Sequence, residues 1–391
     1  MKSLKVRLEP NNKQATLADK HAGVARYAYN WGKSICDLAI SNKEKRPTAI
    51  DLHKKFVKEE KSTKEWLYEV SKCSPQQALR NLDEAYKRTF KVKGSKYSKF
   101  KKKGQHESFY LEGDIKTNNY KIKIPKFGWV NCSEKLPDCS IKNVVVSRTA
   151  NQWFVAFKIP FEPKETNKTK GIVGIDLGIK TLATLSDSTE FANVKAYRKN
   201  KHKLKLLQRK LNKKEKGSNN RKKAQIKVAK LHYKISCIRK DNLHKLTTYL
   251  SKNHTECVIE DLNVKGMSKN HKLASAILDG GFGEFRRQID YKCKWYGTKL
   301  TVVGQFYPSS KTCSGCGNVK DKLGLSERTY VCNECGLMIN RDLNAALNLR
   351  NKSVSYTESA CGVSIKFNAL ALEDTMKQEI NINVQHCVSF I

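Results

Sequence analysis

Three acidic residues are placed where they could together hold divalent cations. Asp176 ends the apolar run GIVGID, and Glu260 ends the run CVIE. Asp342 stands in the first turn of a predicted helix that Asn340 could cap. Hydrolysis of a phosphodiester needs an activated water and charge relief on the leaving oxygen, and two Mg²⁺ ions roughly 3.5 to 4 Å apart supply both. Because Mg²⁺ binds oxygen ligands, the three acids predict a metal-dependent phosphodiesterase site.

Each acid taken alone also fits an ordinary structural role. Asp176 could be a turn residue, and Glu260 or Asp261 the solvated end of a strand. Asp342 could simply be stabilised by the positive end of a helix dipole. Acids are scarce in this chain, however, with 37 Asp and Glu against 76 Lys and Arg. Gathering acids against phosphates requires a metal, so the set of three favours catalysis.

Four of the thirteen cysteines are grouped. Cys313-x-x-Cys316 and Cys332-x-x-Cys335 are fifteen residues apart, which predicts a closed four-thiolate zinc ribbon with a structural metal. Two redox dithiols or unrelated core cysteines are the alternative. The other cysteines are scattered and the total is odd, which predicts free thiols in a reducing compartment.

The charge predicts a polyanionic partner. A formal charge of +39 is tolerable mainly where phosphates or lipid head groups neutralise it, while 39% apolar residues can still build cores. An anionic membrane is the weaker choice, since no apolar run approaches the roughly 18 residues of a membrane span. The N-terminus has no apolar signal-peptide stretch, so we expect a cytoplasmic protein.

Basic residues concentrate between Lys195 and Lys245, a stretch that contains twenty Lys and Arg but only two acidic residues, Glu215 and Asp241. Leucine spacing there predicts an antiparallel helical hairpin with positive outer faces. A solvated helix face is the alternative interpretation, and the basic segment 91–103 is either a flexible linker or a phosphate-contacting loop. The predicted nucleic-acid contacts are Lys203, Arg209, Lys210, Arg221 and Lys222 in the hairpin, and Ser309, Ser310, Lys311 and Arg328 around the ribbon.

Periodicity predicts the elements that carry these residues. We expect an opening strand (3–10), a helical block (13–90), a set of short strands (106–163) and a strand hairpin that bears Asp176 (171–185). The basic helical hairpin (195–245) should follow, and then a strand (257–263), a helix (282–296) and a strand (299–306) before the cysteines.

The motifs resemble a known family. The segments GIVGIDLGIKTLATLSD, CVIEDLNVKGM, YPSSKTCSGCG, YVCNECG and NRDLNAALNL, in this order, resemble the RuvC-like and zinc-ribbon parts of the TnpB proteins of bacterial insertion sequences. The opening MKSLKVRLEPNNKQ and the segment ARYAYNWGKS are similar to the TnpB N-terminus. TnpB is regarded as ancestral to type V CRISPR effectors. The resemblance implies an RNA-guided DNA endonuclease that reads a short motif beside its target.

The same resemblance implies a multi-domain α/β architecture. An RNase H-like (RuvC) mixed sheet would carry an inserted zinc ribbon, and an N-terminal wedge β-barrel would be interrupted by a helical recognition lobe. The expected domains are the wedge barrel at 1–10 and 105–168, the recognition lobe at 11–104, the nuclease domain at 169–308 and 339–355 with the basic hairpin 195–250, the ribbon at 309–338 and a tail at 356–391.

The resemblance also implies roles and partners. Asp176, Glu260 and Asp342 would be catalytic and hold two Mg²⁺ ions, and the four grouped cysteines would hold one structural Zn²⁺. A guide RNA from the transposon end and double-stranded target DNA would bind a monomer with one RNA. Some family members lack catalytic acids and act as guided repressors, and an unguided RuvC-like nuclease or a transposase is a further alternative. All three acids are present here, which favours a nuclease.

Overall fold

The computed structural model describes residues 1–324 and 326–361, which divide into two compact units. One unit contains Met1–Glu162 and Lys203–Lys234, and the other contains Pro163–His202 and the residues from Ile235 onward. Residues 362–391, most of the predicted tail 356–391, lie outside the described part of the chain.

The first part of the chain alternates strands with a helical block, as predicted. In chain order its elements are β1 (Lys2–Glu9), α1 (Asn12–Ser41), α2 (Ala49–Lys55), a π-helical stretch (Phe56–Lys61), a 3-10 helix (Glu65–Glu69), α3 (Cys73–Lys91), β2 (Ser108–Glu112), β3 (Lys116–Asn118), β4 (Lys121–Ile124), β5 (Gly128–Cys132), β6 (Asn143–Thr149) and β7 (Gln152–Ile159).

The strands of this part form one seven-stranded antiparallel sheet in the order β2-β6-β7-β1-β5-β4-β3. β1 lies in the middle, paired with β7 on one side and β5 on the other. Its alternate residues Val6 and Leu8 are buried in the core, as the alternating sequence predicts. The opening strand therefore completes the sheet around the helical insertion, as expected.

The basic segment 91–103 is fixed to α1 at its C-terminal end. The Asn30 side chain donates to the carbonyl of Lys101 at 2.9 Å and accepts from its N–H at 2.8 Å. The Lys101 ammonium lies 4.1 Å from the centre of the Tyr29 ring, and burial lowers its pKa. This end of the segment is therefore not a free linker.

The second part of the chain carries the predicted strand hairpin, the basic helices and the cysteines. Its elements are β8 (Lys170–Leu177), β9 (Thr181–Leu185), β10 (Glu190–Ala192), α4 (Ala196–Asn212), α5 (Asn219–Asn253), β11 (His254–Glu260), α6 (Val264–Met267), α7 (His271–Gly280), α8 (Phe282–Tyr296), β12 (Lys299–Val303), β13 (Thr329–Val331), β14 (Met338–Asn340) and α9 (Arg341–Cys361).

Five of these strands form a mixed sheet in the order β10-β9-β8-β11-β12. β8, β11 and β12 run parallel, and β9 and β10 are antiparallel. Residues from α5, α7 and α8 bury Val173, Ile175, Cys257 and Ile259 on one face. Leu349 of α9 packs with Val258 on the opposite face. The mixed α/β fold agrees with the prediction.

The basic hairpin forms two helices joined by the turn 213–218. The Arg221 guanidinium donates to the carbonyls of Leu211 and Lys214 at 3.1 and 2.8 Å, which holds the end of α4. Residues Lys203–Lys234 cluster with the first unit, although the predicted boundary gave the whole hairpin to the nuclease domain. The Tyr233 ring lies 5.6 Å from that of Phe154 in β7, a contact that sequence periodicity does not reveal.

No helix within residues 1–324 and 326–361 has both the length and the apolar character required to cross a bilayer.

Candidate active site and cysteine cluster

Asp176 and Glu260 lie side by side on neighbouring parallel strands. The register of β8 and β11 pairs Ile175 with Ile259, so the next residues along the two strands are Asp176 and Glu260. Residues opposite each other on adjacent strands point to the same face of a sheet. Both carboxylates are therefore directed to the face that α9 covers.

Helix α9 reaches the sheet at a glycine. A methyl group at Gly174 would overlap the backbone carbonyl of Ala346 and would come within 2.6 Å of the backbone nitrogen of Arg350. Only glycine permits this approach. Asp342 lies one helical turn before Ala346, so the close packing brings its carboxylate toward Asp176, two residues beyond Gly174.

The electrostatics of the site reflect this convergence. Burial, together with the charges of Glu260 and Asp342, raises the pKa of Asp176 to about 8, and Arg341 only partly offsets the rise. Burial also raises the pKa of Glu260, against a hydrogen bond from Ser309 that lowers it. Neighbouring carboxylates that raise the pKa of Asp176 favour a bound cation, since a cation relieves the repulsion. The residues present therefore fit a site for Mg²⁺.

Glu260 has a hydroxyl partner that the sequence did not indicate. Ser309 is buried, with 3% of its surface exposed, and its hydroxyl donates to the Glu260 carboxylate. Asn348 of α9 donates to the carbonyl of Ser309 at 2.8 Å. Ser309 was predicted to contact phosphate, but its hydroxyl is here committed to a carboxylate inside the protein.

Two asparagines of α9, Asn344 and Asn348, fix the segment that precedes and enters the cysteine cluster, and a third, Asn340, precedes the helix. Asn344 donates to the carbonyl of Thr312 at 2.7 Å and accepts from the N–H of Ser314 at 2.9 Å. Asn340 accepts from the N–H of Asp342 at 2.9 Å, so it caps the helix as predicted. The spacing of four residues between Asn340, Asn344 and Asn348 places them on one helix face, and this sequence signal could have identified them.

The four grouped cysteines converge. Their sulfurs all lie within 4.8 Å of one another, and no other set of three or more His, Cys, Asp or Glu in residues 1–324 and 326–361 is this tight. The sulfurs of Cys313 and Cys335 are 3.6 Å apart, and those of Cys316 and Cys332 are 3.5 Å apart. In a tetrahedron with Zn–S distances of about 2.3 Å the sulfurs would be roughly 3.8 Å apart. The cluster can therefore hold a metal such as zinc.

Two equivalent turns build the cluster. The N–H of Gly317 donates to the carbonyl of Cys313 at 3.0 Å, and the N–H of Gly336 donates to that of Cys332 at 3.2 Å. Both glycines have positive φ, +77° and +71°, which favours glycine. The backbone N–H of Cys335 lowers the pKa of the Cys332 thiol, whereas hydrogen bonds among the thiols raise the pKa of Cys316, so Cys332 is the first of these two to supply a thiolate ligand.

The remaining predicted nucleic-acid contacts differ in exposure. Lys203, Arg209, Lys210, Lys222 and Arg328 are exposed, whereas Arg221, Ser310 and Lys311 are partly covered. Arg221 caps α4, as described above, and the Lys311 ammonium donates to the carbonyl of Asp321 at 2.8 Å. Lys222 also lines an open cavity of about 570 Å³ within the first unit.

The glycine contact at α9 gives a direct prediction. Gly174→Ala should push α9 off β8, which should lower the melting temperature by several degrees and reduce the predicted phosphodiesterase activity by at least about tenfold, because a displacement near 1 Å can cost about 100-fold in rate. Gly171→Ala is the matched control, because Gly171 lies on the same strand with nothing within 4 Å of an added methyl group. Equal activity and melting temperature in the two variants would contradict the packing argument.

Comparison with known families assigns three regions. A family model described as "Probable transposase" matches residues 148–271, and one described as "Cas12f1-like, TNB domain" matches residues 282–349. A third, described as "Helix-turn-helix domain", matches residues 1–45. In this structure residues 1–45 contain β1 and the single long helix α1.

Whole-length relatives are also found. A Streptomyces pristinaespiralis protein, provisionally described as an RNA-guided DNA endonuclease, is 37% identical over 374 residues, covering 93% of this chain and 92% of that protein. A relative from Escherichia coli (strain K12) with the same provisional description is 33% identical over 393 residues, covering 94% of this chain and 95% of its own length.

Among solved structures, the cryo-EM structure of the Cas12f1-sgRNA-target DNA complex has a similar fold. It aligns with a TM-score of 0.50 and 15% sequence identity, covering 90% of this chain and 99% of that chain. This likeness concerns the fold alone.

Proposed function

This chain belongs to the TnpB family of RNA-guided DNA endonucleases, and from that premise we propose that it cuts DNA with a catalytic site formed by Asp176, Glu260 and Asp342. The observation that carries the proposal is the placement of these acids at one end of the sheet. Register sets Asp176 beside Glu260, and the contact of α9 with Gly174 brings in Asp342. The charges of Glu260 and Asp342, which with burial raise the pKa of Asp176, support a cation site there.

The domain assignment follows from the same premise. The five-stranded sheet with α9 is the RuvC-like nuclease domain, in residues 169–308 and 339–355. The cysteine segment 309–338 is a zinc ribbon, and the seven-stranded sheet is the wedge barrel around the recognition lobe 11–104. The basic hairpin 195–250 is assigned to the nuclease domain, although residues Lys203–Lys234 cluster with the first unit.

The carboxylates have distinct local supports. Glu260 is held by the Ser309 hydroxyl, so one of its oxygens is fixed in direction while the other remains available. Asp342 lies at the start of α9, where backbone N–H groups also favour negative charge. When bound, two Mg²⁺ ions would activate water and stabilise the leaving oxygen. Without cations, the raised pKa of Asp176 favours its protonated form near neutral pH.

The partners are proposed as a guide RNA and double-stranded target DNA. A formal charge of +39 can neutralise many phosphates, and the exposed basic residues of the hairpin supply a surface for them. The related fold of the Cas12f1 structure was determined with both an RNA and a target DNA. We further propose a monomer that carries one RNA, with base pairing supplying the target specificity.

Cleavage should depend on the matching RNA. Protein purified without RNA, with an unrelated structured RNA, and with the transcript from the flank of its own gene would be incubated with Mg²⁺ and plasmid DNA. The plasmid carries a complementary target beside a randomised motif. Only the third sample should linearise the plasmid, and sequencing the cut molecules should reveal one preferred motif.

Two results would overturn this function. Equal cutting by the RNA-free protein would indicate an unguided RuvC-like nuclease. RNA-dependent occupancy of the target without any cleavage, measured by footprinting, would indicate a guided repressor.

A further inference from the structure

Phe306 has the most exposed large apolar side chain in the described part of the chain. Its exposed fraction is 93%, whereas Met1 at the chain start has 76% and Met338 has 70%. A single exposed apolar residue is ordinary on a protein surface, so exposure alone indicates nothing. What distinguishes Phe306 is how its backbone is held and what lies on either side of it.

The backbone around Phe306 is a tight turn anchored at both ends. The N–H of Tyr307 donates to the carbonyl of Gly304 at 3.1 Å, which closes the turn directly after β12. On one side Val303 is paired within the sheet. On the other side Tyr307 packs against the cluster of Val258, Val303 and Leu349. The phenyl ring is therefore presented to solvent from a fixed backbone.

Phe306 also lies in the segment that joins two neighbours of Glu260. Val303 is opposite Glu260 in the sheet register, and the Ser309 hydroxyl donates to the Glu260 carboxylate. Phe306 is three residues from Val303 and three from Ser309, so its Cα lies within about 11 Å of the Cα atoms of both residues. It follows β12, whose carboxyl end lies at the same sheet edge as those of β8 and β11 because the three strands are parallel.

We propose that Phe306 is a stacking platform for a nucleobase of single-stranded DNA next to the phosphate that is cut. The proposal rests on the proposed function and deepens it. An exposed phenyl ring binds a base only by stacking against the face of the ring, so the contact does not distinguish one base from another. The face of a base is free to stack on a side chain only when it has left the duplex stack. The substrate at this edge is therefore a separated strand.

The experiment uses the full chain loaded with its flanking RNA and a single-stranded DNA oligonucleotide complementary to the guide. Phe306→Leu keeps an apolar side chain without an aromatic face, Phe306→Ala removes the side chain, and Phe306→Trp keeps the stacking surface. We expect kcat/KM to fall roughly 5- to 150-fold for Leu and Ala, from typical base–aromatic stacking energies, and to stay near the parent value for Trp. Leu278→Ala, which removes another exposed apolar side chain on α7, should leave cleavage unchanged.

A second measurement reports on the contact itself. Oligonucleotides carrying 2-aminopurine at successive positions around the cut would be bound by the Asp342→Ala protein with and without Phe306→Leu. At one position the 2-aminopurine fluorescence should be quenched in the protein that keeps Phe306. At the same position it should recover in the protein that also carries Phe306→Leu. The stacking proposal would be overturned if Phe306→Leu had the same kcat/KM as the parent. It would also be overturned if Phe306→Leu lost RNA retention and not DNA cutting. If the parent particle does not cut at all, or if the acid variants cut, the proposed function fails instead.

Discussion

Replacing Asp176, Glu260 or Asp342 by Ala should abolish guided cleavage, with rates at least about 1,000-fold below the parent. Each acid is a proposed ligand of catalytic Mg²⁺, and the loss of one ligand removes the charge arrangement on which phosphodiester hydrolysis depends. The acids are proposed to hold metal and the basic residues to hold phosphate, so RNA retention and DNA binding should change little. Cleavage of labelled target and filter binding on the same preparations measure the two effects.

Asp261 provides the matched control for this set. It follows Glu260 directly and is exposed, and its N–H donates to the carbonyl of Val303 at 2.9 Å. Side chains of successive strand residues point to opposite faces, so Asp261→Ala should retain most of the activity. Full cutting by any of the three acid variants, or a dead Asp261→Ala protein that is folded, would contradict the assignment.

Protein purified without chelators should contain about one zinc per chain, and Cys313→Ser or Cys332→Ser should release it. A closed four-thiolate metal site contributes folding free energy directly, so loss of zinc should unfold the segment 309–338. DNA engagement should weaken more than RNA retention. Elemental analysis and thermal unfolding measure the first effect, and binding assays measure the second.

Cys237→Ser serves as the control for the zinc prediction. Cys237 is an exposed free thiol on α5, outside the cluster, and its loss should leave zinc content and melting temperature unchanged. Absence of zinc in the parent protein would refute the zinc-ribbon assignment. Retention of a full equivalent by Cys313→Ser and Cys332→Ser would show that the metal is held elsewhere.

Much of the fold was predictable because its segments have strong local patterns. The β8–β9 hairpin, the basic helices and α8 follow from alternation or helical spacing, and the cysteine cluster follows from ligand spacing. The strand-end positions of Asp176 and Glu260 were also visible, although their register was not, because pairing of distant strands is a tertiary property.

Other features were hidden because single residues carry them. Helix α9 runs to Cys361, past the predicted NRDLNAALNL, and Ser353 in this extension donates to the buried carboxylate of Glu256. A serine in a buried position weakens the apolar pattern that would have revealed the helix. The contact of Ser309 with Glu260 was likewise not predictable, because a loop hydroxyl suits a phosphate as well as it suits a carboxylate.

The docking of α9 on Gly174 also sets an order of events during synthesis. The residues of the first unit, through Lys234, leave the ribosome before α9 exists. At about 5 to 20 residues per second, the stretch from Glu260 to Asp342 takes roughly 4 to 16 s to make. During that interval the growing chain already displays its basic helices but lacks the third carboxylate. With the catalytic site proposed above, a nascent chain would bind RNA through these helices before it could cut DNA.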